Sequence, residues 1–374
     1  MFEHIQIPLN LIPSDPRFGS GPSLIPMSYL QNLLETKEHL LGTSHRKDNV
    51  KNLVGEVVTG FKKYFSLPAD YTVVFGNGGA THLFDMIGLG LVEKTSAHFT
   101  CGEFSEKWYL AHKNIPWITA QNISIPVGKK VEVTDIPDVD MICMTLNETS
   151  TGLQLTTQKA PQCKNPETLI CVDATSGAGQ VPWDISSCDV FFFSPQKVFA
   201  SEGGLWVAFM SPKAVKRSQK ILADKSRYIP KVMDFSMSID NSTKNQTYNT
   251  PSVINFYLLN EQLKEMNKLG LEKVVEMSKK KAELVYGWAQ SKPYLSPFVE
   301  DAASRSIAVS TIDVDAKYPV DDIVKLLQKN KIAYDIDGYR KLGRNQLRIS
   351  LFHNITYANL EKLTQVISFL VENN

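Results

Sequence analysis

Cysteine is scarce in this 374-residue chain, and what there is does not pair up. Five residues, Cys101, Cys143, Cys163, Cys171 and Cys188, make an odd number without metal-ligand spacing. That pattern offers neither a disulfide framework nor a zinc cluster. Cys143 and Cys171 fall inside apolar strand-like runs, where a small buried thiol is expected. An excess of one charge is also missing: 40 Lys and Arg stand against 39 Asp and Glu, a formal charge of +1. Such a balance argues against a general nucleic-acid or membrane-surface binder, so any strong anion site must be a local cluster. No apolar run approaches the length of a membrane span. Met1 to Gln6 carry neither the basic nor the apolar region of a secretion signal. The expectation is a cytoplasmic protein, without internal repeats or low-complexity linkers.

What is present is an ordinary globular composition, 43% hydrophobic and 21% charged, in a chain long enough for two domains. From about Asp70 to Met210, apolar strand-like segments alternate with helical periodicity. Strands are expected at Tyr71–Phe75, Ala97–Thr100, Met141–Leu146, Leu169–Val172, Val190–Phe193 and Leu205–Met210. They show little polar alternation, as strands do when helices cover both sheet faces. The fold class predicted is α/β, a doubly wound, mainly parallel sheet. After Pro251, placed in the first turn of a helix through Phe256, Leu259, Leu263 and Met266, the order becomes mixed. A helix at Leu271–Gln290, a strand at Ile307–Ile312, a helix at Val320–Asn330, a strand at Gln346–Phe352 and a helix at Ala358–Val371 suggest a smaller α+β domain. The division expected is 17–257 for the large domain and 258–374, with 1–16, for the small one.

Chemistry-bearing residues fall where these strands end, the edge at which open α/β sheets bind ligands. Lys197 follows Val190–Phe193, and Asp173 closes Leu169–Val172, 24 residues earlier. An amine and a carboxylate there point to pyridoxal phosphate: the lysine would form a Schiff base, and the aspartate would keep the pyridine nitrogen protonated. The phosphate needs free N–H groups at a helix N-terminus, which Gly78-Gly79-Ala80-Thr81 supplies. That turn is neither a Walker loop nor a dinucleotide fingerprint. Phe104 offers a flat face for the ring, and Thr149 a hydroxyl. Singly, each has a plainer reading: a turn, a core phenylalanine, a helix cap, a surface lysine. Their order along the chain is what carries weight.

That order resembles the class V, fold-type I aminotransferases. The motifs are Gly79-Ala80-Thr81, Phe104, Asn147-Glu148-Thr149, Asp173-Ala174-Thr175-Ser176, Gln196-Lys197 and Tyr248-Asn249-Thr250-Pro251. More narrowly, Arg17 to Ser23, Gly42-Thr43-Ser44-His45-Arg46, Lys244 to Pro251 and Tyr339 to Arg348 are similar to the phosphoserine aminotransferase family in its actinobacterial form. The resemblance covers about Ile7 to Val371. It implies a homodimer with shared active sites, in which Asn249 and Thr250 of a neighbouring subunit complete the phosphate cup, and it places Gln196 at the cofactor. It also implies amino transfer between L-glutamate and 3-phosphohydroxypyruvate; some members of that family also process the phosphorylated hydroxythreonine precursor of vitamin B6, and the sequence leaves that second activity open.

A substrate with a carboxylate and a phosphate at opposite ends needs two cationic sites, preferably arginine. Arg348, in a strand, suits the α-carboxylate; His45, Arg46 and Arg340 suit the phosphate. Lys341 and Arg344 read as solvated or salt-bridged. The chain departs from the commoner family pattern at Phe104 (usually tryptophan), Tyr339 (often histidine) and Pro195 (often alanine). A cysteine desulfurase would need a cysteine after the lysine, and the last one is Cys188. An alanine–glyoxylate or serine–pyruvate aminotransferase would leave His45, Arg46 and Arg340 without a task. A silent binding protein would not need Lys197, Asp173 and Arg348 together.

Overall fold

Runs that are apolar on both faces become buried strands, and segments with one apolar stripe wrap around them. The computed structural model describes residues 2, 4–35 and 39–374; Met1 and Glu3 of the N-terminal reading lie outside these. In chain order come α1 (Met27–Glu35), α2 (Asp48–Tyr64), β1 (Thr72–Asn77), α3 (Ala80–Leu91), β2 (Thr95–Thr100), α4 (Glu103–Lys113), β3 (Thr119–Ser124) and β4 (Met141–Thr145). A short pair, β5 (Asn147–Glu148) and β6 (Leu153–Gln154), precedes β7 (Leu169–Asp173), β8 (Val190–Phe193), β9 (Leu205–Met210), α5 (Pro212–Ala223) and α6 (Phe235–Ser242). The remainder is α7 (Val253–Leu269), α8 (Leu271–Ser291), β10 (Leu295–Pro297), β11 (Val309–Val314), α9 (Val320–Lys329), β12 (Gln346–Ser350) and α10 (Tyr357–Glu372).

Seven strands form the main sheet in the order β1-β9-β8-β7-β4-β2-β3. The pairs β2–β3, β2–β4, β4–β7 and β7–β8 are parallel. Strand β9 runs antiparallel to both its neighbours, β1 and β8. It therefore restores β1 to the direction of the other five strands. As a result β1, β2, β4, β7 and β8 all deliver their C-terminal ends to one edge. Strand β9 is wholly buried like the rest, so nothing in its apolar run distinguishes its direction.

Helix α2 has no counterpart among the elements read from the sequence, although its stripe is regular: Val50, Leu53, Val54, Val57, Phe61 and Tyr64 are buried. Phe61 meets Phe193, Phe199 and Phe209 edge-on at 5.5, 5.4 and 5.4 Å. Phe193 and Phe199 stack on each other at 5.1 Å. These two rings flank Lys197 in sequence, so the aromatic core anchors both ends of its loop.

The later elements are displaced slightly from expectation. Helix α7 begins at Val253 after a Ser252 N-cap, which puts Pro251 before the first turn rather than in it. The strand expected at Ile307–Ile312 is Val309–Val314, because Ser306 turns its hydroxyl to the N–H groups of Ala308 and Val309 before the ladder starts. Strands β10, β11 and β12 make a separate antiparallel sheet. Residue 257 lies within α7, which runs unbroken to Leu269 and is capped by Gly270 at φ 82°. No helix among the described residues is long and apolar enough to cross a membrane.

Candidate active site

Lys197 lies in a tight turn just past β8. Within it, Ala200 N–H donates to Lys197 O and Ser201 N–H to Pro195 O at 3.1 and 3.2 Å, and Ala200 sits at φ 45°. The Ser201 hydroxyl donates to Asn255 O of α7 at 2.9 Å. A non-glycine residue in the left-handed region is uncommon and marks a turn held by its surroundings. The lysine Nζ donates to Ser20 O at 2.6 Å. Beside it Gly21 is obligatory: at φ 146°, a Cβ there would lie 1.9 Å from Nζ. Ser20 and Gly21 escaped sequence reasoning, which quoted their stretch without giving them a task; a Gly-Pro pair signals a turn but not which side chain needs the space.

Burial lowers the Lys197 ammonium to a pKa of about 8, with the Arg348 charge adding to the effect and Asp173 opposing it. The three groups therefore share one neighbourhood. Asp173, at the end of β7, is 3% exposed. Its carboxylate accepts from the Thr175 N–H at 2.9 Å and the Thr175 hydroxyl at 2.5 Å. Burial nevertheless raises it to about 6. A buried carboxylate held above its usual range is short of a positive partner, and a protonated pyridine nitrogen would supply one.

The other strand ends add to this edge. Gly79 caps α3 without any side-chain hydrogen bond, so the first N–H groups, those of Ala80 and Thr81, have no intrahelical acceptor. A Cβ on Gly79 would meet only the Ser194 hydroxyl, at 3.6 Å, which places this helix start beside the end of β8. After β4, Thr149 Oγ1 and Asn147 Nδ2 both donate to Ser176 Oγ at 2.8 Å, tying that turn to the one after Asp173. The side-chain oxygen of Gln196 is buried without a partner.

Phe104 opens α4, its ring 5.8 Å from Tyr339 and under Lys107 Nζ at 5.2 Å. Its position is fixed by a residue the sequence reading quoted but gave no role. Glu148 is fully buried, and its carboxylate accepts the N–H groups of Phe104 and Ser105 at 3.2 and 3.0 Å. It also takes the Ser150 N–H at 3.1 Å and the hydroxyls of Ser105 and Ser150 at 3.0 and 2.7 Å. A carboxylate among the first N–H groups of a helix is favoured by the dipole. No local pattern signalled this burial, because Glu148 stands in the polar run Asn147 to Thr151.

The cations divide into used and unused. Lys341 pairs with Glu103, and Arg344 holds Asp313 through two bonds, Nε at 3.0 Å and Nη2 at 2.6 Å; both are as the sequence reading had them. Arg348, partly buried in β12, has no ion pair among the described residues, and its Nε is buried without a partner. Arg340 is exposed in the turn before β12. His45 is buried with Nε2 unpartnered, and Arg46 donates to Gln246 Oε1 at 3.3 Å. Asn249 and Thr250 are exposed, and their carbonyls accept from Asn77 Nδ2 at the end of β1, at 3.4 and 2.9 Å. The chain thus draws His45-Arg46 and the 246–250 loop together and ties that loop to the sheet edge.

One further group lies elsewhere. His98, His112 and Cys143 bring ligand-type atoms within 4.8 Å of one another in the core. The Trp108 indole N–H donates to His112 Nε2 at 3.1 Å. This puts the proton of neutral His112 on Nδ1, facing His98 Nε2 at 3.1 Å. A protonated ring nitrogen cannot ligate a metal, so this is a hydrogen-bonded core.

Residues 18–363 match the family Aminotransferase class-V. A phosphoserine aminotransferase of a Nocardioides species is 42% identical over 375 residues, 100% of both chains. Among solved structures, a phosphoserine aminotransferase from Cytophaga hutchinsonii superposes with a TM-score of 0.87 at 27% identity, covering 95% of this chain and 98% of its own. A pyridoxal-phosphate-bound phosphoserine aminotransferase from Trichomonas vaginalis shares the fold, with a TM-score of 0.80 at 20% identity over 94% and 99% of the two chains.

Proposed function

The chain belongs to the class-V aminotransferase family, and from that premise we propose that it is a phosphoserine aminotransferase. It transfers an amino group between L-glutamate and 3-phosphohydroxypyruvate, giving O-phospho-L-serine and 2-oxoglutarate in serine biosynthesis. The observation that carries this reading is the meeting, beside the C-terminal strand ends, of a lysine whose pKa burial lowers, a buried carboxylate held by Thr175 alone, and an arginine without an ion pair among the described residues. Pyridoxal phosphate, when bound, supplies an aldehyde that condenses with amines and a cationic ring that stabilises charge at the substrate α-carbon.

The residues present fit that group. Lys197 provides the amine, Asp173 the partner for the ring nitrogen, Phe104 an aromatic face, and the start of α3 (Gly79, Ala80, Thr81) the anion site. Thr149 and Gln196 line the ring side. Lys197 Nζ, neutral in a large fraction near pH 8, is the base for the proton on the substrate α-carbon and returns it as acid. Arg348 grips the α-carboxylate with donors nothing else has taken. His45, Arg46 and Arg340 receive the phosphate, or the distal carboxylate of glutamate.

The same reading makes the protein a cytoplasmic homodimer whose Asn249 and Thr250 complete the neighbour's phosphate site. Exposed Met27, Leu34 and Leu41 support a second copy docking along this N-terminal stretch, and sedimentation tests it. The N-terminal segment goes with the small domain: Ser14 bonds Asn359 twice, at 3.0 and 2.9 Å. The continuity of α7 favours Gly270 as the domain boundary.

A two-stage spectral experiment tests the substrate. Glutamate alone bleaches the visible absorbance of the cofactor-loaded protein, and 3-phosphohydroxypyruvate restores it while hydroxypyruvate does not. Equal recovery with both acceptors would keep the transaminase and discard the phosphate roles of His45, Arg46 and Arg340.

A further inference from the structure

Two arginines four residues apart each lie over an aromatic ring: Arg344 over Phe298 at 4.7 Å, and Arg348 over Tyr339 at 5.4 Å. Arg344 also has its guanidinium fork filled by Asp313. Arg348 does not; its Nε is buried with no acceptor. A desolvated guanidinium can be steadied by a carboxylate or by the face of an aromatic ring. The carboxylate consumes the N–H donors, whereas the ring attracts the cation and leaves them free. Tyr339 touches a second element as well, because its ring lies 5.8 Å from that of Phe104, at 59°. The next-but-one residue, Lys341, pairs with Glu103 at the start of the same helix and pins the turn that carries Tyr339.

We propose that Tyr339 is a positioning residue, whose ring holds the Arg348 guanidinium open for a substrate α-carboxylate and ties that grip to the ring that faces the cofactor. The proposal rests on the reading of Arg348 as the carboxylate site. It assigns Tyr339 a task where sequence reasoning noted only a departure from the commoner histidine. The phenol oxygen has no part in it; the ring face does the holding.

The test uses cofactor-loaded wild type, Tyr339→Ala, Tyr339→Phe and Arg348→Ala, with calorimetric binding of glutarate, a non-reacting dicarboxylate, beside steady-state kinetics with glutamate. For Tyr339→Ala, the glutarate Kd and glutamate KM both rise by about 10-fold with a much smaller change in kcat. Tyr339→Phe restores both to near wild-type values. Unchanged binding in Tyr339→Ala, while Arg348→Ala abolishes it, would overturn the proposal and leave the role of Arg348 standing. Damage by Phe equal to that by Ala would also overturn it, since the hydroxyl would then be the active part. Wild-type glutarate affinity in Arg348→Ala would remove the carboxylate site itself. Circular dichroism of each variant separates these effects from misfolding.

Discussion

Lys197 and Lys281 have both been taken out of water, and they have little else in common. Lys281, on α8, is 3% exposed, and burial lowers it to about 7. Its Nζ donates to the carbonyls of Phe352, Ile355 and His353 at 2.8, 3.2 and 3.4 Å. In its ammonium form the side chain matches three donors to these three acceptors and fastens α8 to the chain after β12. Lys197 is lowered too, to about 8, yet donates to one carbonyl only, near a carboxylate held by Thr175 alone and an arginine without an ion pair among the described residues. A depressed pKa therefore does not by itself mark a reactive amine. What separates the two is the company each keeps: three backbone acceptors surround Lys281, whereas Lys197 has one, with a carboxylate and a guanidinium nearby.

The sharpest way to break this contrast is to delete each amine in turn. Lys197→Ala should lower turnover by on the order of 10³-fold or more, with a circular dichroism spectrum like that of wild type. Borohydride reduction of the cofactor-loaded protein, followed by peptide mapping, should attach the label at Lys197 and leave Lys281 unmodified. Label at Lys281, or turnover surviving in Lys197→Ala, would reverse the assignment of the two sites.

The arginines carry the same contrast one step down in size. Arg348→Ala should raise KM for glutamate by roughly 30- to 100-fold, the worth of a charge-assisted bidentate pair. Arg344→Ala, which removes a guanidinium already satisfied by Asp313, should leave KM near wild type. Its loss should register in the thermal midpoint instead. A KM that moves equally in both variants would mean that free donors are not what makes Arg348 special.

Much of this site was legible because its residues stand at strand ends. Leu169–Asp173 and Val190–Phe193 announce themselves by unbroken apolar runs, and because these two strands run parallel the residues after both fall at the same edge. The direction of Leu205–Met210 was not legible, since a strand buried on both faces carries no periodicity to orient it. The pairing of Gly21 with Lys197 spans 176 residues, and no local pattern encodes it. Lys281 was concealed differently. It closes the run Lys279-Lys280-Lys281 in a helix of mixed charge, and helical geometry alone turns one of the three inward. Glu148 shows the reverse case, an acid in the polar run Asn147 to Thr151 that is nonetheless fully buried, its charge satisfied by N–H groups and hydroxyls of its own turn and of α4.

The smallest effect isolates the structural lysine. Methionine at position 281 matches the length of the side chain but leaves three buried carbonyls without a donor, a loss of about 1–3 kcal/mol. The pH dependence fixes the sign. The folded-state pKa of Lys281, about 7, lies below its ordinary value. Its contribution is therefore fully present above the unfolded pKa, near 10.4, and is lost as pH falls through 7. Wild type should exceed Lys281→Met in urea stability by the widest margin at the alkaline end of the range, above about pH 10.4, and that margin should shrink steadily as pH approaches 7. Lys197 is present in both proteins, so its own titration cancels in the difference. A margin that stays constant across this range would mean that the three carbonyls hold the ammonium charged throughout. Lys281 would then be a permanent cation, and the contrast with Lys197 would widen from one of surroundings to one of charge.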